Sequence, residues 1–184
     1  MLYTRKGDSG TTKVFNSKDR ISKSSLLTDA LGSVDEINSF LGLCKVKSAD
    51  LEINLNSNKK ISDIVHSLQE DLFIVQAELA GAEMAISEEK VKKLEEITDG
   101  IEKILPPITT FFISGGTELA ALFDTARTIA RRAERRMVTL KEASSEVRVG
   151  DQALAYMNRL SSVLYALARY ANHAGNFIEK SPNY

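Results

Sequence analysis

The chain has 184 residues, of which 43% are hydrophobic and 27% charged, so it is long and apolar enough for one domain with a buried core. Its net charge of −1 excludes a global field that would attract nucleic acid or an anionic membrane. Cys44 is the only cysteine, which excludes an internal disulfide and a cysteine-rich zinc site. No apolar run approaches the ~20 residues of a membrane span, and the first residues do not resemble a signal peptide, so we expect a cytoplasmic protein.

The first 28 residues differ in composition from everything after them. They lack an amphipathic period, and Gly7 and Gly10 allow the backbone to approach a ligand closely. Hydroxyl groups and cations that could cradle and neutralise phosphates surround these glycines: Thr4, Arg5, Lys6, Ser9, Thr11, Thr12 and Lys13, followed by Lys23. The Walker A pattern is absent. This segment is therefore either a phosphate-binding loop or an unstructured polar tail.

Apolar residues at helical spacing predict an all-α fold, an up-and-down five-helix bundle over residues 29–173 within a single domain of residues 1–184. The five predicted helices run over about 28–44, 59–85, 87–105, 117–142 and 151–172. Thr28 or Asp29 is the expected N-cap of the first helix, Ser87 of the third, Thr117 of the fourth and Asp151 of the fifth.

Three features between or beside these helices are open to more than one interpretation. Residues 46–58 are rich in Asn and Ser and are predicted to form a loop. The apolar run 111–117 could be a single strand, but a connector that ends in a double glycine is favoured because a lone strand has no partner. His66, between Asp63 and Glu70, is expected to be solvated or hydrogen-bonded rather than a metal ligand.

The fourth predicted helix carries five arginines beside a full apolar stripe. Arg127, Arg131, Glu134 and Arg135 line one flank of the stripe, and Arg132 and Arg136 line the other. Guanidinium groups at i, i+4 and i+8 can bind a polyanion through bidentate contacts. The alternative is that they form ordinary surface or intersubunit ion pairs.

Three segments together resemble the PduO-type ATP:cob(I)alamin adenosyltransferases. They are the N-terminal run Tyr-Thr-Arg-Lys-Gly-Asp-Ser-Gly-Thr-Thr, the arginine helix with its preceding Gly115-Gly116, and the run Met-Asn-Arg-Leu-Ser-Ser-Val-Leu that begins at Met157. The resemblance extends over nearly the whole chain, in order and with matching spacing. It implies an N-terminal Gly/Thr-rich nucleotide-binding loop on a five-helix bundle, assembled as a homotrimer with active sites between subunits.

The reaction that the resemblance implies transfers the 5′-deoxyadenosyl group of ATP to cob(I)alamin, forms adenosylcobalamin and releases triphosphate. Mg²⁺ would be held through the ATP phosphates rather than by protein side chains. A cob(II)alamin reductase would supply the reduced corrinoid, and an adenosylcobalamin-dependent enzyme would receive the product.

The resemblance also implies roles for individual residues. Arg127 would pair with Asp35 of the adjacent subunit, and Phe111 would pack under the corrin ring, so these three form the expected corrinoid site. The expected catalytic residues are Arg131, Arg127 and Asp35. The expected ATP site comprises Thr4, Arg5, Lys6, Gly7, Thr12, Lys13, Lys23, Arg131, Arg132, Glu134, Arg135 and Asn158.

The sequence departs from the family pattern at three positions. Lys6 replaces a usual threonine, Ser114 a usual proline, and Asp124 a common histidine. Two other functions remain to be distinguished by experiment: a helical scaffold that binds nucleic acid through its arginines, and a regulator that binds ATP without chemistry. The acidic pI of about 6.2 and the absence of a helix-turn-helix pattern oppose the first.

Overall fold

Five helices make up most of the protein. The computed structural model describes residues 3–15, 19–55, 57–143 and 147–184. The helices are α1 (Leu26–Lys47), α2 (Ile61–Leu79), α3 (Glu88–Glu102), α4 (Glu118–Ala143) and α5 (Asp151–Ala174). Two antiparallel hairpins accompany them, β1 (Thr11–Lys13) with β2 (Arg20–Ser22) and β3 (Glu52–Asn54) with β4 (Asn58–Lys60). The predicted all-α five-helix bundle is confirmed.

The α4 helix lies at the centre of the packing. It packs against α1 and α5, while α1 also packs against α2, and α5 against α3. Its apolar stripe is buried from Phe123 onward and includes Phe123, Ala126, Ala130, Ala133 and Met137. The alanines allow neighbouring helices to approach closely, and each large buried side chain contributes about 1.5–3 kcal/mol. The same burial orients the two arginine flanks of α4 outward, toward α1 on one side and α5 on the other.

The start of α1 differs from the prediction. The helix begins at Leu26, and its N-cap is Ser25, whose hydroxyl accepts a 3.3 Å hydrogen bond from the Thr28 amide. The predicted N-caps Thr28 and Asp29 are wrong, because both already lie in the first turn. The Thr28 hydroxyl instead donates to the Lys23 carbonyl oxygen at 2.9 Å, which ties the N-terminal segment to the helix. At its other end α1 continues to Lys47, one turn beyond the predicted Cys44.

The predicted bounds of the second helix and of the preceding loop were also wrong. Residues 46–58 contain the end of α1 and most of the β3–β4 hairpin, and the hairpin is docked by Ile53, which is 1% exposed. The α2 helix therefore begins at Ile61. It ends at Leu79 rather than Ala85 because Gly81 adopts a φ of 87°, a left-handed conformation that stops the helix.

The remaining helix ends agree more closely with the sequence. Ser87 is the residue before α3, as predicted, although α3 ends at Glu102, before the two prolines. The Thr117 hydroxyl accepts a 3.2 Å hydrogen bond from the Ala120 amide, which confirms its capping role. The N-cap of α5 is Gly150 rather than Asp151, which is the first helical residue. The segment between the fourth and fifth predicted helices falls partly on residues 144–146, outside the described residues.

Polar groups inside the bundle are paired across helices. The buried Asp71 carboxylate on α2 accepts a 3.2 Å hydrogen bond from the Tyr156 hydroxyl on α5 and pairs with Lys90 on α3. Burial and the adjacent Asp71 charge raise the pKa of the Tyr156 phenol well above its ordinary value. This cluster therefore specifies how three helices meet.

His66 is mostly exposed, and its Nε2 lies 3.9 Å from Glu70 Oε1. Within the described ranges, no three or more His, Cys, Asp or Glu side chains are grouped so that they could hold a metal ion. In the same ranges, no helix combines the length and apolarity needed to span a bilayer.

Candidate active site

A cavity of about 760 Å³ lies between α4, α5 and the connector that joins α3 to α4. The connector contributes residues 108–114, and Glu179 from the C-terminal segment completes one edge. From the two helices the lining includes Asp124, Arg127, Arg131, Ser161, Ser162, Tyr165, Ala168, Arg169 and Asn172. The cavity thus has a partly apolar wall on the connector and a charged wall on the helices.

The double glycine fixes the downstream end of the connector. Gly115 and Gly116 both have φ values of 112°, which favour glycine. Asn172 of α5 donates to the Gly115 carbonyl oxygen at 2.9 Å and accepts from the Thr117 amide at 2.9 Å. A Cβ atom on Gly116 would stand 2.3 Å from Asn172 Oδ1. The sequence Gly-Gly is therefore required for the connector to approach α5 this closely.

Arg169 fixes the upstream part of the connector. It is 5% exposed, its Nε lies 3.0 Å from Glu179 Oε2, and its Nη2 donates to the Pro106 carbonyl oxygen at 3.1 Å. The Phe112 ring stacks on the guanidinium, with the Arg169 Cζ atom 5.2 Å from its centroid. One buried arginine therefore joins α5, the connector and the C-terminal segment.

Phe111 is left on the cavity wall with 79% of its surface exposed. Of the two aromatic residues in the connector, Phe112 docks onto the bundle through Arg169, whereas Phe111 remains mostly exposed. Because a large exposed aromatic ring on a fixed backbone gains nothing from the subunit's own core, its surface is available to a ligand.

Arg127 on α4 lies on the charged wall. Its side chain is 27% exposed, its Nε is 3.6 Å from Asp124 Oδ1, and its Cζ atom is 5.9 Å from the centre of the Tyr165 ring. The buried Nε atom has no hydrogen-bond partner within the described residues. Burial raises the pKa of the Tyr165 phenol, so this group stays neutral between the charges around it.

The two arginine flanks of α4 have different partners. Arg132 and Arg136 pair with Glu36 and Asp29 of α1, at 2.5 and 3.0 Å. On the other flank, Arg131 and Arg135 are exposed, and within the described part of the chain Arg135 Nη1 donates a 3.2 Å hydrogen bond to the Arg131 carbonyl oxygen. The guanidinium groups of this second flank are thus the ones available to an anion, and Arg131 also lines the cavity.

Glu134 and Asn158 belong to the same flank. Asn158 Nδ2 donates to Glu134 Oε1 at 3.0 Å, and Arg159 Nη1 donates to Asn158 Oδ1 at 2.7 Å. Arg159 in turn pairs with Glu95 of α3 at 2.8 Å. This polar relay explains the patch in the otherwise apolar α5 helix, and it places Asn158 beside the arginine flank.

The N-terminal segment forms a second cluster of predicted site residues. Gly7 lies against Lys23, whose Nζ atom would be 3.1 Å from a Cβ at that position, and the Lys23 amide donates to the Gly10 carbonyl oxygen at 2.9 Å. Thr12, Lys13 and Lys23 line a cavity of about 450 Å³. Thr4, Arg5 and Lys6 are exposed on the same loop. The loop thus places hydroxyl and cationic side chains around Gly7, where the Lys23 side chain lies close to the backbone.

The structure does not join the two clusters within one chain. Across the four described ranges, no hydrogen bond or ion pair connects residues 3–15 or Lys23 to Arg127, Arg131 or Arg135. Asp35 is exposed on α1 and does not pair with Arg127 of its own chain.

Sequence reasoning missed several residues that build the cavity: Asp124, Tyr165, Arg169, Asn172 and Glu179. An arginine within an apolar stretch of a helix is a usable signal for a buried ion pair, and Arg169, which follows Leu167 and Ala168, is such a residue. Asp124 stands out only as a departure from the family pattern three residues before Arg127. Glu179 carries no sequence signal, because its role depends on the C-terminal segment folding back onto α5.

Comparison with known proteins identifies the family. The cobalamin adenosyltransferase family matches residues 2–171. The chain is 37% identical to the corrinoid adenosyltransferase PduO of Citrobacter freundii over 189 residues, which cover 97% of this chain and 53% of that protein. It is 35% identical to a corrinoid adenosyltransferase of Mycobacterium leprae, with 93% of this chain and 91% of that protein covered. The chain thus spans about half the length of the PduO relatives from Citrobacter and Salmonella.

Solved structures agree with this match. The fold superposes with a TM-score of 0.88 on a phenylalanine-to-alanine variant of a PduO-type ATP:corrinoid adenosyltransferase from Lactobacillus reuteri, complexed with cobalamin and ATP. That chain is 30% identical, and each chain is covered over its full length. An arginine-to-lysine variant complexed with ATP gives a TM-score of 0.85 at 31% identity, covering 99% of this chain and 100% of that one. The chain therefore belongs to the cobalamin adenosyltransferase family.

Proposed function

We propose that the protein transfers the 5′-deoxyadenosyl group of ATP to the cobalt of a reduced corrinoid. The observation that carries this proposal is the cavity with two unlike walls: the exposed Phe111 ring on one side, and Arg127 and Arg131 at the edge of the arginine flank on the other. The apolar wall suits the flat corrin ring, and the arginines suit the triphosphate of ATP. Family membership supports both assignments.

The chemistry needs no protein nucleophile. The cobalt of cob(I)alamin attacks C5′ of ATP, the cobalt–carbon bond forms with the cobalt electron pair, and the C5′–oxygen bond breaks with its electrons on the departing triphosphate. The protein must align the reactants, which can lower a barrier by about 7–11 kcal/mol. It must also stabilise the leaving triphosphate, and Arg131, Arg135 and Lys23 are the cations we assign to that role.

The nucleotide site in this proposal combines both clusters. The loop residues Thr4, Arg5, Lys6, Gly7, Thr12, Lys13 and Lys23 surround the phosphates. Arg131, Glu134, Arg135 and Asn158 complete the site from α4 and α5. Arg132 is also assigned to it, and since it pairs with Glu36 in the subunit, ATP must compete for it or bind beside that pair. Mg²⁺ would enter with the phosphates, as it commonly does at nucleotide sites.

A site between subunits reconciles the two clusters. Because residues 3–15 and the Arg131 flank make no polar contact within one chain, we propose that the loop of one subunit meets α4 of a neighbour in a homotrimer. The exposed Asp35 and the half-buried Arg127, whose Nε lacks a hydrogen bond within the described residues, fit the expected pair across the same boundary. We also propose a cytoplasmic location, where ATP and a cob(II)alamin reductase are accessible, with delivery of the product to an adenosylcobalamin-dependent enzyme.

The direct test is product formation. The protein is incubated without oxygen with ATP, Mg²⁺ and chemically reduced cob(I)alamin, and adenosylcobalamin and triphosphate are separated by chromatography. We expect both products in equal amounts. ATP binding without either product would replace the proposal with a nucleotide-binding regulator.

Mixed oligomers test the intersubunit site. Lys23→Ala and Arg131→Ala chains carrying different tags are co-expressed, and oligomers with both tags are isolated. Every trimer that carries both tags has one site in three that combines two intact halves, so we expect up to about a third of the parental activity. No recovery above the two inactive parents would mean that both halves of the site come from one chain.

A further inference from the structure

Asp124 joins the two walls of the cavity through its two carboxylate oxygens. Oδ2 accepts a 3.0 Å hydrogen bond from the Gly115 amide of the connector, and Oδ1 lies 3.6 Å from Arg127 Nε. Asp124 is 8% exposed, so solvent screens neither interaction strongly. One buried side chain thus contacts the backbone that carries Phe111 and the arginine opposite it.

Asp124 holds the connector at the Gly115 amide, whereas the other contacts hold it at different groups. Arg169 contacts it at Pro106 and Phe112, and Asn172 holds the carbonyl oxygen of Gly115 but not its amide. The Gly115 φ of 112° aims that amide into α4, where Asp124 is the acceptor. Losing the acceptor would leave an unpaired amide and loosen the backbone four residues after Phe111.

The contact of Asp124 with Arg127 orients the Arg127 guanidinium group. Because Nε is the atom nearest Asp124, the two Nη groups at the far end of the guanidinium remain for a ligand or a neighbouring subunit. The Tyr165 ring supports the guanidinium from another side, 5.9 Å away. A charge at Asp124 therefore selects which edge of the guanidinium faces the cavity.

We propose that Asp124 is a positioning residue that sets the placement of Phe111 and the orientation of Arg127 together, and so determines corrinoid affinity. This proposal rests on the proposed function for its ligand, a reduced corrinoid. It assigns Asp124 no contact with ATP.

Two substitutions separate the two contacts. Asp124→Asn keeps an oxygen that can accept from the Gly115 amide but removes the charge beside Arg127, whereas Asp124→Ala removes both. Glu118→Gln is the matched control, because it neutralises a carboxylate on the same helix that pairs with Lys47 at 2.8 Å, outside the cavity. Each variant is purified as the full chain and compared with the parent in assembly, hydrogen exchange and kinetics.

Hydrogen exchange reports on the connector and needs no corrinoid. We expect amide exchange in residues 108–117 to be about tenfold faster in Asp124→Ala and close to parental in Asp124→Asn and Glu118→Gln. Kinetics report on the ligand: the KM for cob(I)alamin should rise about tenfold in both Asp124 variants, with the KM for ATP unchanged. In Asp124→Asn, which keeps the connector in place, this rise isolates the orientation of Arg127.

The results that overturn the proposal are distinct. Parental exchange in Asp124→Ala would show that Asp124 does not hold the connector. A parental KM for cob(I)alamin in Asp124→Asn, or equal rises for ATP and corrinoid, would show that it does not position the corrinoid site. If the parent chain itself makes no adenosylcobalamin, the proposed function fails, whereas the exchange result still decides the connector contact.

Discussion

Asn158 on α5 donates a 3.0 Å hydrogen bond to Glu134 on α4, so two residues of the proposed nucleotide site are in contact across the two helices. The carboxylate of Glu134 stands between Arg131 and Arg135 along the helix and faces an amide rather than a second charge. The Arg131 and Arg135 flank therefore stays positively charged and keeps one hydrogen-bond acceptor. This arrangement suits a polyanion that also carries hydrogen-bond donors.

Asn158→Asp should weaken ATP binding. The new carboxylate would face Glu134 where the amide now donates, and it would add negative charge beside the phosphates, so we expect a Kd for ATP about tenfold higher. Calorimetry with a non-hydrolysable ATP analogue measures it. Gln152→Glu, which adds the same charge at an exposed position of α5, is the control and should bind as the parent does. Equal weakening in both variants would reduce the effect to net charge.

Arg131→Ala should be nearly inactive. Loss of one preorganised donor to a developing charge typically raises a barrier by about 3–4 kcal/mol, which is a loss of several hundredfold in kcat. Arg136→Ala removes an arginine from the opposite flank, where it pairs with Asp29, and should keep most activity. Near-parental turnover of a folded Arg131→Ala protein would remove Arg131 from the triphosphate site.

Arg127 and Asp35 should behave as one unit in a double-mutant cycle. If they pair across the subunit boundary, Arg127→Ala and Asp35→Ala each impair corrinoid binding or assembly, and the double variant is little worse than either single one. A coupling energy of about 0.5–3 kcal/mol is typical of residues in contact. Corrinoid affinity and sedimentation measure the two effects. Additive losses would show that the residues do not meet.

The helices were predictable from sequence because burial imposes a period. The stripe of α4 from Phe123 to Met137 is buried as expected, and the two arginine flanks follow from it. Helix ends were less predictable, because they depend on single backbone angles. Apolar residues continue the α2 pattern to Ala82, yet the left-handed Gly81 ends the helix first. The β3–β4 hairpin has three-residue strands, too short to show an alternating pattern.

Candidate site residues could be chosen from sequence by their match to the family motifs, whereas the residues that support them could not. Phe111, Arg127 and Arg131 all line one cavity, and Gly7 lies against Lys23 in another part of the chain. The supporting contacts join distant segments: Arg169 meets Glu179 of the returning C-terminal segment, and Asp124 meets the connector. Such pairings depend on tertiary structure, and no local spacing encodes them.

Tyr156 should make the bundle sensitive to alkaline pH. The pKa of the Tyr156 phenol is raised in the folded state by burial and by Asp71, whereas in the unfolded chain this phenol ionises near pH 10. Its contribution to stability is therefore complete below pH 10 and is lost as the pH rises above that value, by up to about 1.4 kcal/mol per pH unit.

Tyr156→Phe provides the test. It should cost about 1–3 kcal/mol at pH 7, because the hydrogen bond to the charged Asp71 is lost, and its stability should decline less steeply above pH 10. Urea unfolding at several pH values measures both effects. Tyr184→Phe, at a fully exposed position, should follow the parent curve. Parallel declines for Tyr156→Phe and the parent would show that Tyr156 does not carry the alkaline sensitivity.

Phe111→Ala should separate corrinoid chemistry from ATP binding. Reduction of cob(II)alamin is difficult while an axial base or water coordinates the cobalt, because that ligand stabilises the higher oxidation state. An apolar ring against the lower face excludes both, and because Phe111 is 79% exposed on the cavity wall, its loss should disturb little packing in its own subunit. The variant should therefore assemble and bind ATP normally but lose activity in an assay that starts from cob(II)alamin and a reductant.

Supplying chemically reduced cob(I)alamin in excess should restore much of the activity of Phe111→Ala. With cob(II)alamin, Phe111→Leu, which keeps an apolar side chain, should retain more activity than Phe111→Ala. Equal impairment of Phe111→Ala with both corrinoid substrates would show that Phe111 shapes the cavity without affecting the reduction of cobalt.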